Sequence, residues 1–322
     1  MKTLVLSMIS IAATVAAMTA CTSESDPVDE IDPIVNAKTP IEFSSSILGV
    51  QTRATVDGNN FANGNTIGVY GYTKEAPSTQ YTTNMFLTNE TFTFDGESFK
   101  ATEAYWERGE KHYFYAYHPL ASTTATPTGY QLTDATASTE PLVKVLCKPN
   151  DGISEDLLWA APASNTEGFT FTGVSASNIS LPFSHKLSQV KFIVKLQDNS
   201  VPSSTLTKLS FDVDKSEGSL NIITGVLTET NGNVSFSKTF TNGTITSIGI
   251  DAGTSMIFPG STISNLKVTI NGDELPVTLT TSPALVAGKI TTITITVKPY
   301  DITMNSSIDP WSEGGTNGAG EV

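Results

Sequence analysis

The sequence predicts an all-β protein built from antiparallel β-sandwiches, one in each half of the chain. Three observations predict it. From residue 41 onward, many short segments alternate apolar and polar residues with a period of two. Turn-forming pairs such as Asn-Gly, Pro-Gly and Asp-Gly separate those segments. No window sustains a 3.6-residue apolar period for three turns, so helices are expected to be short and few.

The 322-residue chain opens with a basic Lys2, an uncharged stretch from Thr3 to Ala20, and small residues beside Cys21. This is a secretion signal over residues 1–20, and its Ser and Thr content weakens the reading as a membrane span. The segment MTAC resembles a bacterial lipobox, in which Cys21 is lipidated and becomes the first residue of the mature chain. The alternative is an ordinary signal with a chance cysteine. Residues 21–40 follow as an acidic, Pro-containing tether with too little apolar content to pack a core. With Cys21 lipidated, Cys147 has no intramolecular partner and reads as a small buried side chain within LVKVLCKPN.

The folded part begins with PIEFSSSILGV. There Ile41, Phe43 and Ile47, then Leu48 and Val50, are placed to cover a core as one edge strand. NTIGVYGYT sets Ile67, Val69 and Gly71 on one face and Gly68, Tyr70 and Tyr72 on the other. ETFTFDGESFKA reads as a hairpin around Asp95-Gly96, and KHYFYAYHP as an aromatic strand stopped by Pro119. The second half supplies QVKFIVKL, KLSFDV, GSLNIITGVLT, NVSFSKTF, SMIFPG, NLKVTINGDELPVTL and KITTITITVK. Turns are expected at Asn231-Gly232-Asn233, Asn242-Gly243, Pro259-Gly260 and Asn271-Gly272-Asp273. GVSASN, residues 173–178, is the expected linker. The expected domains are therefore 54–176 and 177–322, the second ending in a flexible Gly-rich tail.

Composition bounds the function. Lys and Arg total 18 against 32 Asp and Glu, and the net charge of −14 disfavours nucleic acid and anionic membrane surfaces. Hydrophobic residues at 39% and charged ones at 16% describe a folded chain. His112 and His118 lie on one face of one strand, about 20 Å apart by strand rise, too far to chelate one metal. Together with His185 they have no nucleophile or orienting group assigned by sequence, and the chain lacks G-x-S-x-G, P-loop and H-E-x-x-H motifs. Asp151, Glu155 and Asp156 in DGISED form a weak calcium candidate or, more simply, an exposed acidic loop. A spatially assembled carboxylate pair for glycoside hydrolysis leaves no spacing signature. Tyr113, Tyr115 and Tyr117 share a face and are the candidate ligand platform; the bland and favoured alternative is a two-sided core strand. No catalytic residue, metal or cofactor is assigned.

The order IEF, TRA, F-x-NGN-TIGVYGY, YFYAYHP, DLLWA, LPFSHKLSQVKF, AGKITTITITV and IDPW resembles the fimbrillin family of Bacteroidales, subunits of type V pili and related surface lipoproteins, over roughly residues 41–315. The resemblance implies two transthyretin-like β-sandwich domains, export as an outer-membrane lipoprotein, and cleavage after an arginine near the N-terminus. Here that is Arg53, before Ala54, and residues 41–53 are the candidate prosegment strand. The family scheme fills the vacated groove with a strand of another subunit, which is β-strand addition. The donor would be YDITMNSSIDPW, with Ile302 and Met304 on one face, Ile308 in register beyond them, and pairing ended by Pro310. Arg53 and Arg108 are the only arginines in the chain. The expected role is a structural, adhesive pilus subunit whose partners are further subunits. The rival class is a non-polymerising surface lipoprotein that binds glycan or protein, or a tip or anchor subunit; a glycosidase is the third.

Overall fold

The computed structural model describes residues 38–48, 56–57, 60–75, 79–124, 129–173, 179–198, 204–279, 282–298 and 302–310. Cys21, Arg53 and Ala54 lie outside the described residues, as do the signal and nearly all of the tether.

The strands run β1 (Pro40–Leu48), β2 (Val56–Asp57), β3 (Asn60–Phe61), β4 (Thr66–Tyr72), β5 (Met85–Phe94), β6 (Phe99–Tyr105), β7 (Lys111–His118), β8 (Tyr130–Thr133), β9 (Leu142–Leu146), β10 (Leu158–Ala160) and β11 (Phe169–Thr170). They continue as β12 (Ile179–His185), β13 (Ser188–Leu196), β14 (Ser204–Asn221), β15 (Leu227–Ile245), β16 (Ile250–Ile257), β17 (Ile263–Ile270), β18 (Asp273–Pro276), β19 (Lys289–Val297) and β20 (Ile302–Pro310). The one helical element among the described residues is a 3-10 turn at Ala163–Thr166.

The first sheet has the order β10-β12-β1-β6-β5-β4-β7-β11, and β10 also pairs with β7. That extra pairing closes seven strands into a barrel-like ring, where an open sandwich was expected. Closure removes sheet edges that would otherwise present unpaired backbone. The ring is filled by side chains, among them Phe43, Phe92, Phe99, Phe114 and Phe183, all fully buried.

The second half builds a four-stranded sheet, β16-β13-β19-β20, and a six-stranded one, β18-β17-β14-β9-β8 with β15 on β14. Their inner faces share a core that includes Phe192, Phe211, Val213, Ile293 and Ile295. Sheet membership does not follow the halves of the chain. β8 and β9 precede the expected linker yet join the second core, and β12 follows it yet completes the ring. Only Lys186 and Leu187 separate β12 from β13, so residues 179–196 pass from the ring into the four-stranded sheet through a single bend at Leu187.

Several turn expectations hold and two do not. The hairpin at Asp95-Gly96 forms: Asp95 Oδ1 accepts the Glu97 and Ser98 N–H groups at 2.9 Å each. Asn271 and Gly272 turn β17 into β18, both with positive φ. By contrast, Asn231-Gly232 and Asn242-Gly243 lie inside β15, at or beside positions where its register with β14 shifts. In a strand of 19 residues the same residue types serve bulges that sustain twist. The reversal sits instead in GSLNIITGVLT, expected as one strand. There the Asn221 side chain accepts the Ile223 and Thr224 N–H groups at 2.9 and 3.0 Å. Gly225, at φ +68°, faces the Trp159 ring so closely that a Cβ would stand 2.6 Å from it. Trp159 Nε1 donates to the Ile222 carbonyl at 2.7 Å, and Lys186 Nζ lies 4.7 Å from the ring centroid. Trp159 of β10 thus latches the β14–β15 hairpin tip to the ring.

Candidate functional site

β1 is the strand expected from the sequence as a candidate prosegment, and the structure places it within the first sheet. Pro40 occupies its first position, where a missing N–H costs the ladder least. Ile41 and Phe43 are 1% and 0% exposed, Ile47 is partly buried against the ring core, and Leu48 is 58% exposed. The Phe43 ring meets Phe92 and Phe114 at 5.0 Å each. Burying Ile41 and Phe43 contributes about 1.5–3 kcal/mol apiece.

β1 was expected at a sheet edge; it is internal. Along β12 it runs parallel from Phe43↔Ile179 to Leu48↔Ser184, and along β6 antiparallel at Glu42↔Lys100 and Phe43↔Phe99. Just before it, Trp106 N–H donates to the Thr39 carbonyl at 3.0 Å and Lys38 Nζ lies 5.1 Å from the Tyr105 ring. Taking β1 away would open the ring between β6 and β12, exposing two backbone edges over an aromatic floor.

One side chain reaches both walls of that slot from outside β1. Phe61 of β3, 3% exposed, has its ring 4.9 Å from Phe99 of β6 and 5.0 Å from Phe183 of β12. It also meets His118 at 5.4 Å. Behind it the chain is tied to β5: Gly64 N–H donates to the Phe94 carbonyl at 2.8 Å, and Phe94 N–H to the Asn65 carbonyl at 2.9 Å.

β20 presents the opposite situation. It pairs antiparallel with β19 from Val297↔Ile302 through Ile295↔Met304 and Thr291↔Ile308 to Lys289↔Pro310, and lies at the end of its sheet. Ser306, Ser307 and Ile308 are exposed, Ile308 at 49%.

The tyrosine platform does not form. Tyr113, Tyr115 and Tyr117 are 7%, 8% and 0% exposed and belong to the second core, while Phe114 and Ala116 fill the ring. β7 is the two-sided core strand. Tyr117 Oη donates to Asn89 Oδ1 at 2.5 Å, and Gly68 leaves the room, since a Cβ there would stand 2.4 Å from the Tyr117 ring. Tyr70 Oη donates to Asp134 Oδ1 at 2.6 Å. Burial raises the pKa of both phenols.

The histidines serve structure. His118 Nδ1 donates to the Thr66 carbonyl at 2.8 Å, and burial lowers the pKa of His118 and of His112. His185 Nδ1 donates to Asp156 Oδ2 in a buried pair that no sequence spacing announced. Asp156 is therefore a core partner and not part of an exposed acidic loop, whereas Asp151 is exposed. Among the described residues no group of three or more His, Cys, Asp or Glu side chains is placed to hold a metal ion. Cys147 is buried, its thiol pushed up to about 12 by desolvation. Arg108 is exposed in the turn between β6 and β7. A cavity of 260 Å³ lies between Gly64–Thr66, His118–Leu120 and Glu155. No helix among the described residues is long and apolar enough to cross a membrane.

The fold defines a class: an all-β protein in which, among the described residues, the first strand is an internal member of a closed ring and the last strand is a sheet edge. The family model described as fimbrillin-like matches residues 52–311, and the chain belongs to that family. Similar solved structures include a candidate cell adhesion protein from Bacteroides ovatus, with 20% identity and TM-score 0.56, covering 87% of this chain and 100% of that one. A candidate cell adhesion protein from Bacteroides uniformis has 16% identity and TM-score 0.55, covering 86% and 99%. A fimbrial protein from Bacteroides vulgatus has 17% identity and TM-score 0.54, covering 84% and 99%. At these identities the likeness is one of fold. No curated protein matches the chain.

Proposed function

We propose that the chain is a non-enzymatic, structural subunit of a cell-surface pilus or fimbria that serves adhesion. In this reading it is exported to the outer membrane as a lipoprotein through Cys21 and cut after Arg53. It then joins further subunits by placing their last strand in the slot of β1. A two-domain, transthyretin-like organisation with a boundary near residues 173–178 belongs to the same reading, with β8, β9 and β12 crossing that boundary.

The observation that carries it is a correspondence between the two ends of the folded chain. Residues 41–48 read IEFSSSIL and residues 302–309 read ITMNSSID. Ile41, Ser45, Ser46 and Ile47 match Ile302, Ser306, Ser307 and Ile308, and a large apolar Met304 stands where β1 has Phe43. The match is in phase, which matters because a one-residue slip would turn every apolar side chain to the wrong face. A second copy of the chain therefore offers a strand already lettered for this slot, and main-chain pairing supplies the affinity.

Intact mass and N-terminal sequencing of protein recovered from its own cell surface test the scheme, with a start at Ala54 expected. Such protein should form ladders on gels or capture a labelled peptide of residues 302–310. A species cut after Arg53 that stays monomeric and ignores the peptide overturns the proposal.

A further inference from the structure

We infer that Phe61 is a positioning residue for strand exchange: it braces β6 against β12 and so keeps the slot at strand width when β1 leaves. The inference rests on the reading that β1 is exchanged. Without β1, β6 and β12 lose their shared ladder partner. Among the described aromatic rings, Phe61 alone meets one ring on each wall within about 5 Å, Phe99 at 4.9 Å and Phe183 at 5.0 Å. Phe99 and Phe183 face each other at 6.4 Å, so their direct contact is looser.

Three features suit Phe61 to that task. It follows Arg53 in sequence and so stays with the body of the subunit after a cut there. β3 packs against β1, and its position is also fixed from the C-terminal side by hydrogen bonds that do not involve β1. Ala62 N–H donates to Asn65 Oδ1 at 2.7 Å, Asn65 N–H to the Ala62 carbonyl at 3.0 Å, and both Gly64 and Asn65 are bonded to Phe94 of β5. The rings it touches sit where β1 docks: Phe99 is the register partner of Phe43, and Phe183 that of Ile47. An open slot without such a brace would collapse, since apolar walls facing water close on each other. An incoming strand would then have to reopen it. Pre-formed geometry lowers that cost and speeds docking.

The test uses the full chain with a site for a sequence-specific protease inserted after Arg53, cut so that β1 is released, and a labelled peptide of residues 40–48 as probe. Phe61→Ala is expected to slow peptide uptake about tenfold, a loss of roughly 1.4 kcal/mol in the docking step, while Phe61→Leu restores most of the rate. Hydrogen exchange of residues 99–105 and 179–185 is read on the cut chains without peptide. Greater protection in wild type than in Phe61→Ala supports the brace even if no peptide binds, and absence of binding by wild type then counts against strand exchange alone. Equal protection, or peptide uptake that occurs at the same rate in wild type and Phe61→Ala, overturns the inference. Urea unfolding of the uncut variants shows whether each folds, and if Phe61→Ala does not, Phe61→Leu against wild type carries the same comparison at a smaller difference.

Discussion

β1 and β20 are each nine residues long and share half of an eight-residue stretch, yet their settings are opposed. β1 is paired along both edges inside a closed ring, with Phe43 fully buried. β20 is paired along one edge, with Ile308 half exposed. The same lettering is thus paired along two edges at one end of the chain and along one edge at the other. Strand stability here is a property of neighbours more than of sequence, as expected where cross-strand contacts and burial dominate intrinsic preference. Under the proposed exchange, a strand paired along one edge at home would gain a second paired edge in the slot of β1.

The largest break in the comparison should come from Phe43→Ala. Loss of a fully buried ring with two aromatic neighbours costs about 3–5 kcal/mol, read as a shift in the urea midpoint of the uncut chain. A loss below 1 kcal/mol would mean that the ring core does not depend on β1. Next comes Gly225→Ala. A Cβ at φ +68° facing the Trp159 ring is expected to cost about 1–3 kcal/mol and, by freeing the hairpin tip, to split thermal unfolding into two transitions. A single unshifted transition would show that the latch does not couple the two cores.

The pH dependence should single out the ring. All three histidines lie at or before residue 185. Desolvation, the largest influence, lowers the pKa of His118 and His112, opposed by the Thr66 carbonyl, Asp156 and Glu155 for the former and by the Phe169 carbonyl, Glu107 and Glu110 for the latter. Lowered folded values mean that the unfolded chain binds these protons first. Stability is therefore full above roughly pH 6.5, the ordinary histidine value, and falls as pH drops below it. Hydrogen exchange at pH 7.5 and 5.5 should show β4, β7 and β10 loosening before β13 and β19, and His118→Gln should flatten the slope. Uniform loosening would refute this. The smallest effect is expected for Ile308→Ala, about 0.5 kcal/mol or less. A loss comparable to that of Phe43→Ala would erase the contrast between the strands.

Local chemistry was legible in the sequence, and long-range pairing was not. The Asp95-Gly96 and Asn271-Gly272 hairpins carry their turn residues on the spot, so a short window is enough. Asn231-Gly232 misled because the same residues suit a bulge, and only the length of β14 against β15 decides between the two. The period of KHYFYAYH placed Tyr113, Tyr115 and Tyr117 on one face, but the core that face joins also draws on residues as distant as Ile293 and Ile295 of β19, which no local window reveals. β1 was visible as a strand; its place inside a ring depends on β10, three residues long, pairing with both β7 and β12. Phe61 was visible only as the F of F-x-NGN, with nothing local to say that it spans two strands. The His185–Asp156 pair and the Trp159 latch were hidden for the same reason.

The near-continuity of β12 and β13 has a mechanical side. If subunits join as proposed, tension enters each one through the strand lying along β12, follows the backbone past Lys186 and Leu187 into β13, crosses to β19 and leaves through β20. The load runs parallel to the strands, so the rungs of each ladder strain together in shear and are not peeled one after another. Residues 179–196 are then the tie rod of the subunit. The rest of the molecule, with its two cores, packs around that rod and the bend it makes at Leu187.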